Sequence, residues 1–339
     1  VLRYTMAVFS LFLLVACLPA SSTGPQPSVP LLTDLTSTPT PFMPASITPT
    51  AVKTSIPVSI PTLKSLVPDF SHIIFIVFEN KEFGTVIGTP LMPIYNRFAQ
   101  EYVHFTEYYA VIHPSLPNYL AMMAGDTFNI TTNCEDCFIN APSLPDYIEA
   151  SGRTWKTYQE DMPRRCFIGS WGKYSQKHNP FIYFDPIRLD KTRCERSIVP
   201  LSDLAPDLAA GIIPNFAFIM PNLCNSAHDS EECPLNIADA WLGLLMDALI
   251  PSLELEGKPY LIVLTWDEGQ GDHSCCGLPE IAGGRIPTVF VSNQVKRGFT
   301  DDTQYTHYSL LKTIAKAWGL PYLGHSSDEN NKLIIAPWN

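Results

Sequence analysis

Acidic and amide side chains stand directly behind two of the most apolar stretches of the chain. Glu79 and Asn80 follow the run His72–Phe78 (HIIFIVF), and Asp267 and Glu268 follow Tyr260–Trp266 (YLIVLTW). A third run, Phe216–Met220, is followed by Pro221 and Asn222, and soon by His228 and Asp229. Carboxylate and amide oxygens suit a hard divalent cation. Acidic residues after strands also cap helices, so either pair alone supports a cap as readily as a ligand. The two pairs together, with the His-bearing segments, favour a metal site. Ser115 lies in His113-Pro-Ser-Leu-Pro-Asn-Tyr119, just before the apolar segment Tyr119–Ala124. If that segment is helical, Ser115 and the amides after it sit where a phosphoryl group would meet free N–H donors and the positive end of the dipole. Taken alone such a serine is an N-cap; the surrounding constellation makes it a nucleophile candidate.

The elements that must position these groups are legible in outline. His72–Phe78, Phe216–Met220, Tyr260–Trp266 and Pro287–Ser292 are continuous apolar runs, as expected of strands buried on both faces. Helix-like stretches lie between or after them at Ser143–Ala150, Leu201–Ala210, Asn236–Leu249 and Tyr308–Trp318. The alternation predicts an α/β fold with a mainly parallel central sheet flanked by helices. In such sheets chemistry gathers at the carboxyl ends of the strands, which is where the acidic pairs fall. With 339 residues, 46% hydrophobic and 16% charged, the chain can bury a large core, which excludes a disordered or fibrous protein. Its formal charge of -11, with no cationic cluster beyond Arg164-Arg165, argues against nucleic acid as a partner. Attraction for a phosphate ester must then be local, from a bound cation.

Five segments in order carry a resemblance. VFEN (Val77–Asn80), HPSLPNYL (His113–Leu120), PNLCNSAHD (Pro221–Asp229), TWDEG (Thr265–Gly269) and THYSLLKTI (Thr306–Ile314) are similar to those of the bacterial and fungal acid phosphatase/phospholipase C phosphoesterase family of the alkaline phosphatase superfamily. The resemblance runs from Ile73 to about Trp318 and implies an alkaline phosphatase-like fold. It implies that Glu79, Asn80, Asp267 and Glu268 hold a divalent metal (Mg, Ca, Mn or Zn), with the Ser115 oxygen facing it. His228 and His307 would contact the phosphoryl oxygens or assist the leaving group, and Asn80 would also touch phosphate. His113 and Asn222 are further substrate-binding candidates; His273 rivals the other histidines, and His104, His178 and His325 read as structural or surface residues. Many superfamily members carry Asp-His where this chain has Asp267-Glu268, so a harder site than a two-zinc centre is expected. Ser115-Leu-Pro117 also starts like the sulfatase motif, but Tyr119 stands where that motif has Arg. The implied activity is metal-dependent hydrolysis of phosphate monoesters through a phosphoserine at Ser115, on a phosphorylated small molecule or lipid head group. A phosphodiesterase or phospholipase C on the same scaffold is the alternative; an inactive surface binding lipoprotein is a third reading. Oligomeric state is not legible.

Three segments are expected. Residues 1–17 read as a targeting signal: Arg3, an apolar run from Met6 to Ala16 broken by Ser10, and the box Leu14-Val-Ala-Cys17, which resembles the bacterial lipoprotein signal whose Cys17 is acylated. Residues 18–67, dominated by Pro, Ser and Thr, read as a disordered tether, because so little apolar surface cannot offset ordering entropy. Residues 68–339 form the phosphoesterase domain. Beyond Cys17 there are eight cysteines, an even number that reads as disulfides in an extracytoplasmic protein. The local pairs 134–137, 166–194 and 224–233 are the simplest; Cys275-Cys276 could close on each other or pair elsewhere, and zinc at Cys134–Cys137 is a further option. Membrane attachment through Cys17 makes a prediction: Cys17→Ser moves the protein out of the membrane fraction or stalls its processing, read by fractionation and N-terminal mass spectrometry. An unmodified mature N-terminus elsewhere would contradict it.

Overall fold

Strand β1, His72–Phe78, is buried along its whole length, as an apolar run with helices on both sheet faces has to be. The computed structural model describes residues 65–228 and 232–339, all within one compact unit, Thr62–Asn339. The targeting signal with Cys17, nearly all of the tether, and Asp229 lie outside the described residues. Val67, assigned to the tether by composition, is fully buried.

The remaining strands are β2 (Val103–Phe105), β3 (Tyr108–Tyr109), β4 (Trp155–Gln159), β5 (Ile198–Pro200), β6 (Phe216–Met220), β7 (Tyr260–Trp266), β8 (Thr288–Ser292), β9 (Phe299–Asp301) and β10 (Tyr305–Thr306). Eight of them form one sheet in the order β5-β4-β6-β1-β7-β8-β2-β9, while β3 and β10 pair separately. From β5 to β7 every pairing is parallel; β8 runs antiparallel to both β7 and β2. The sheet is therefore mainly parallel with an antiparallel insertion, and the expected α/β fold is observed. All four expected apolar strands are present. The short strands β2, β4, β5 and β9 were not expected; β4 (WKTYQ) and β9 (FTD) mix polar with apolar residues and lack a sustained apolar run.

Helices follow the same rule. The stretch expected at Asn236–Leu249 continues to Glu256, through Pro251, and ends at Gly257 in the left-handed conformation. Leu201–Ala210 splits into a 3-10 turn and a short helix. The Ser143 and Thr306 helices both start on capping boxes. Of most consequence is helix Ser115–Ala124, buried at all ten positions. Pro117 is tolerated because the first turn has no use for its missing N–H. The helix stops at Gly125, with φ +72°, where an added Cβ would lie 2.0 Å from the Leu323 carbonyl oxygen. Left-handed backbone costs a non-glycine residue about 1–2 kcal/mol, and the overlap with fixed backbone adds to it. Gly125→Ala is expected to lower unfolding free energy by more than about 2 kcal/mol, measured by urea denaturation; an unchanged midpoint would contradict the assignment.

Candidate active site

The sheet register sets the site. Phe78 on β1 is the direct partner of Trp266 on β7, so Glu79 and Asp267 leave the sheet side by side. The Asp267 amide donates to the Phe78 carbonyl at 3.0 Å, and the Glu79 amide to the Ser226 carbonyl at 2.8 Å. Asn80 is left-handed at φ 57°, a conformation Asn tolerates, and its amide donates to Asp267 Oδ1 at 3.1 Å. Glu79, Asp267 and Glu268 are at most 5% exposed. They lie under a cleft of about 470 Å³ lined by Asn80, Lys81, His113, His228, Glu268 and Asp272, among others.

Ser115, the first residue of its helix, joins them. Its Oγ lies 3.2 Å from Glu79 Oε2, 3.1 Å from Glu268 Oε1 and 3.3 Å from Lys177 Nζ. A hydroxyl donates a single hydrogen, so it satisfies one carboxylate at a time. The next two positions offer no free amide: the Leu116 N–H donates to Asn133 Oδ1 at 3.0 Å, and Pro117 has none. Asn118, one turn into the helix, staples the loop that carries the serine. Its Oδ1 accepts from the amides of Val111 (2.8 Å) and Ile112 (3.2 Å), and its Nδ2 donates to the carbonyls of Ile112 and Pro114.

The histidines divide into those at the cleft and those that are buried. His113 Nδ1 contacts Glu268 Oε2 and its Nε2 lies 3.1 Å from the Gly271 carbonyl, so this ring positions Glu268. The bond to Glu268 raises the His113 pKa despite partial burial. His228 Nε2 lies 3.1 Å from Lys177 Nζ, at the mouth. His307 is fully buried and its Nε2 lies 2.7 Å from the Asp267 carbonyl; burial drives its pKa down to about 4. His307 is therefore tied to the Asp267 backbone through one ring nitrogen, while its Nδ1 is buried without a hydrogen-bond partner. Asn222 is also committed elsewhere: its amide and Nδ2 donate to Glu160 and Asp161, and its Oδ1 accepts from Cys224 and Asn225. It shapes its own turn. His273 is exposed.

Two residues of the site escape sequence reasoning. His178, expected to be structural or surface, is buried with its Nε2 3.0 Å from Glu79 Oε1. Lys177 reaches Ser115 from the same short 3-10 turn, Gln176–His178. Tyr119, in the position of the sulfatase arginine, contacts Glu79 Oε1 through its hydroxyl. All eight cysteines beyond Cys17 are bonded as 134–137, 166–194, 224–233 and 275–276, which removes the zinc option at Cys134–Cys137. Four disulfides fit an extracytoplasmic, oxidising setting. No described helix is long and apolar enough to cross a membrane.

Electrostatics show what the residues need. Burial alone would raise Glu79, but His178, with Lys177 and His228, holds its carboxyl well below the usual range. Asp267 goes the other way: burial first, then the charges of Glu79 and Glu268, push it well up. Its Oδ2 is buried without a hydrogen-bond partner. Three clustered carboxylates with an orphaned oxygen fit a divalent cation. The nitrogens of His178 and His228, whose donor atoms with Glu79 all lie within 4.8 Å of one another, add borderline donors beside the oxygen set.

A phosphoesterase family model matches residues 90–321, and the chain belongs to that family. The match begins after β1, so Glu79 and Asn80 lie outside it. A phosphatidylinositol-3-phosphatase of Mycobacterium tuberculosis is 31% identical over 268 residues, 78% of this chain and 82% of that protein. A phosphate-repressible acid phosphatase of Penicillium chrysogenum is 33% identical over 75% of this chain, and a probable acid phosphatase of Kluyveromyces lactis 32% over 79%. The chain spans only 60% and 63% of those two proteins. A Vibrio parahaemolyticus protein of the alkaline phosphatase superfamily superposes with a TM-score of 0.56 at 14% identity, over 81% of this chain and 72% of its own; this shows the alkaline phosphatase-like fold. The chain is a phosphoric ester hydrolase. The Asn118 staple makes a prediction for it: Asn118→Ala leaves buried amides of the serine loop unpaired, at about 1–3 kcal/mol of stability. Turnover is expected to fall at least tenfold, by order of magnitude, as the serine loses its fixed position. Full activity with unchanged stability would contradict the staple.

Proposed function

We propose that the chain hydrolyses phosphate monoesters through a phosphoserine at Ser115, beside one divalent cation held by Glu79, Asn80, Ser115, Asp267 and Glu268. The observation that carries this reading is the Ser115 hydroxyl lying within hydrogen-bond reach of two buried carboxylates at the carboxyl edge of the sheet. When bound, the cation lowers the pKa of the serine hydroxyl and neutralises phosphate charge. The residues of the chain supply the rest. Tyr119 and His178 hold Glu79, and His113 holds Glu268. His307 fixes the Asp267 backbone, which makes it a positioning residue. Ser115 Oγ gives up its proton to water in the cleft and forms a bond to phosphorus as the bond to the leaving oxygen breaks. His228 at the mouth is placed to give that oxygen a proton, which it regains from solvent. Water then cleaves the phosphoserine, releasing orthophosphate and restoring the hydroxyl.

Oxygen ligands favour Mg, Ca or Mn, and the adjacent His178 and His228 keep Zn within the candidate ions. Substrates are phosphorylated small molecules or lipid head groups; the Mycobacterium tuberculosis relative's name points to the second. The signal at 1–17, the tether at 18–67 and acylation of Cys17 would place the domain 68–339 on the outer surface of a membrane. Ser115→Ala is expected to lower kcat by several orders of magnitude with fold and metal content intact. Acid quenching of the wild type during turnover should yield a Ser115 peptide carrying phosphate. Activity of the variant within tenfold of wild type, or phosphate on another residue, would overturn the mechanism. A wild-type preference for aryl diesters by kcat/KM would promote the phospholipase C reading.

A further inference from the structure

Lys177 has no place in the constellation read from sequence, yet its ammonium lies 3.3 Å from the proposed nucleophile and 3.1 Å from His228 Nε2. The backbone beneath it is fixed. Gln176 is fully buried, accepting from the Gly169 amide and donating to the Glu135 carbonyl at 2.7 Å. His178, on the other side, is buried against Glu79 and packs beside Tyr119. From that turn the Lys177 side chain reaches the Ser115 hydroxyl and the His228 ring. Among the described residues no carboxylate lies within ion-pair distance of it; its near neighbours are the serine hydroxyl and the His228 ring.

Charge bookkeeping gives that position a meaning. The buried carboxylates are Glu79, Asp267 and Glu268. Lys81 already serves them: it is 5% exposed, is tied to the Ala227 carbonyl at 2.8 Å, and feels Asp267 and Glu79. One divalent ion and Lys81 balance the three carboxylates. Lys177 adds a further positive charge, which Glu79 and Asp267 also feel but with which neither forms an ion pair. The reacting phosphoryl group must come within bonding distance of Ser115 Oγ, so it must also come within reach of Lys177.

We infer that Lys177 is the specificity-determining residue of the site: its ammonium holds a non-bridging oxygen of the phosphoryl group that a monoester has and a diester lacks. This rests on the monoester reading above. The Nε2 of His307 is taken up by the Asp267 carbonyl, so the donor set assigned to the third oxygen is Lys177, beside Ser115 Oγ, with His228 next to it. A monoester dianion presents three non-bridging oxygens and about two charges. In a diester one of them carries an organic group, and the ammonium would be left facing carbon. A lysine is a compact point charge with rotatable donors, suited to an oxygen whose position shifts as phosphorus passes from one oxygen to another.

The test compares the metal-loaded full chain with Lys177→Met and Lys177→Arg on 4-nitrophenyl phosphate and bis(4-nitrophenyl) phosphate. Lys177→Met is expected to lower kcat/KM for the monoester on the order of a hundredfold and for the diester by less than about fivefold, as loss of one charged hydrogen bond predicts. Lys177→Arg is expected to recover most of the monoester rate. Calorimetry of orthophosphate binding to metal-loaded Ser115→Ala, with and without Lys177→Met, gives a readout independent of turnover: affinity should fall by a similar factor while metal content holds. Equal losses on both esters, unchanged orthophosphate affinity, or loss of metal from Lys177→Met would overturn the inference. A wild-type diester preference would instead defeat the monoester reading, whatever Lys177→Met does to the ratio.

Discussion

Three carboxylic acids are buried together, two of them within reach of one serine hydroxyl, and like charges in a water-poor site repel strongly. Much of the surrounding structure answers that repulsion. Lys81 feels Asp267 and Glu79, His178 flanks Glu79, His113 flanks Glu268, and the Tyr119 hydroxyl contacts Glu79. Even so, Asp267 keeps a buried oxygen without a partner. A set of groups that the protein cannot satisfy by itself, at the carboxyl edge of a mainly parallel sheet, is a site prepared for a ligand. The carboxylates are held in place by the sheet. β1 and β7 are neighbours in register, so two short segments far apart in the chain deliver their acids to one point.

The serine is positioned by different means. It begins a helix buried at all ten positions, and Asn118 binds the preceding loop from within the first turn. Rigid sheet on one side and rigid helix on the other leave the hydroxyl little freedom. The mouth is built from less regular structure: the turn with Lys177 and the loop with His228, near the 224–233 disulfide. This division separates the sheet and helix that hold the acids and the serine from the irregular structure at the mouth.

The parts legible in the sequence were those in which burial leaves a continuous signal. HIIFIVF and YLIVLTW announce two-sided strands, and the acids after them are conspicuous for that reason. Short edge strands such as β9 carry no such run. The contacts that His307 and Asn222 make were not legible because spacing reveals proximity along the chain and not the direction of a ring or amide. His178 and Lys177 belong to a turn that follows no apolar strand, so nothing local marks them as reaching the centre. A weak signal did exist: no Asp or Glu occurs from Met162 to Phe184, in a chain of net charge -11, while Arg164, Arg165, Lys173 and Lys177 do.

The account depends on a cation resolving the conflict among Glu79, Asp267 and Glu268. Anomalous diffraction from crystals of protein whose metal has been exchanged for Mn with activity retained, collected at the Mn absorption edge, tests this directly. A single peak between the three carboxylates and Ser115 Oγ is the predicted result. Full activity in crystals and solution with no anomalous peak at that point, or a peak held only by residues elsewhere in the chain, would contradict the account.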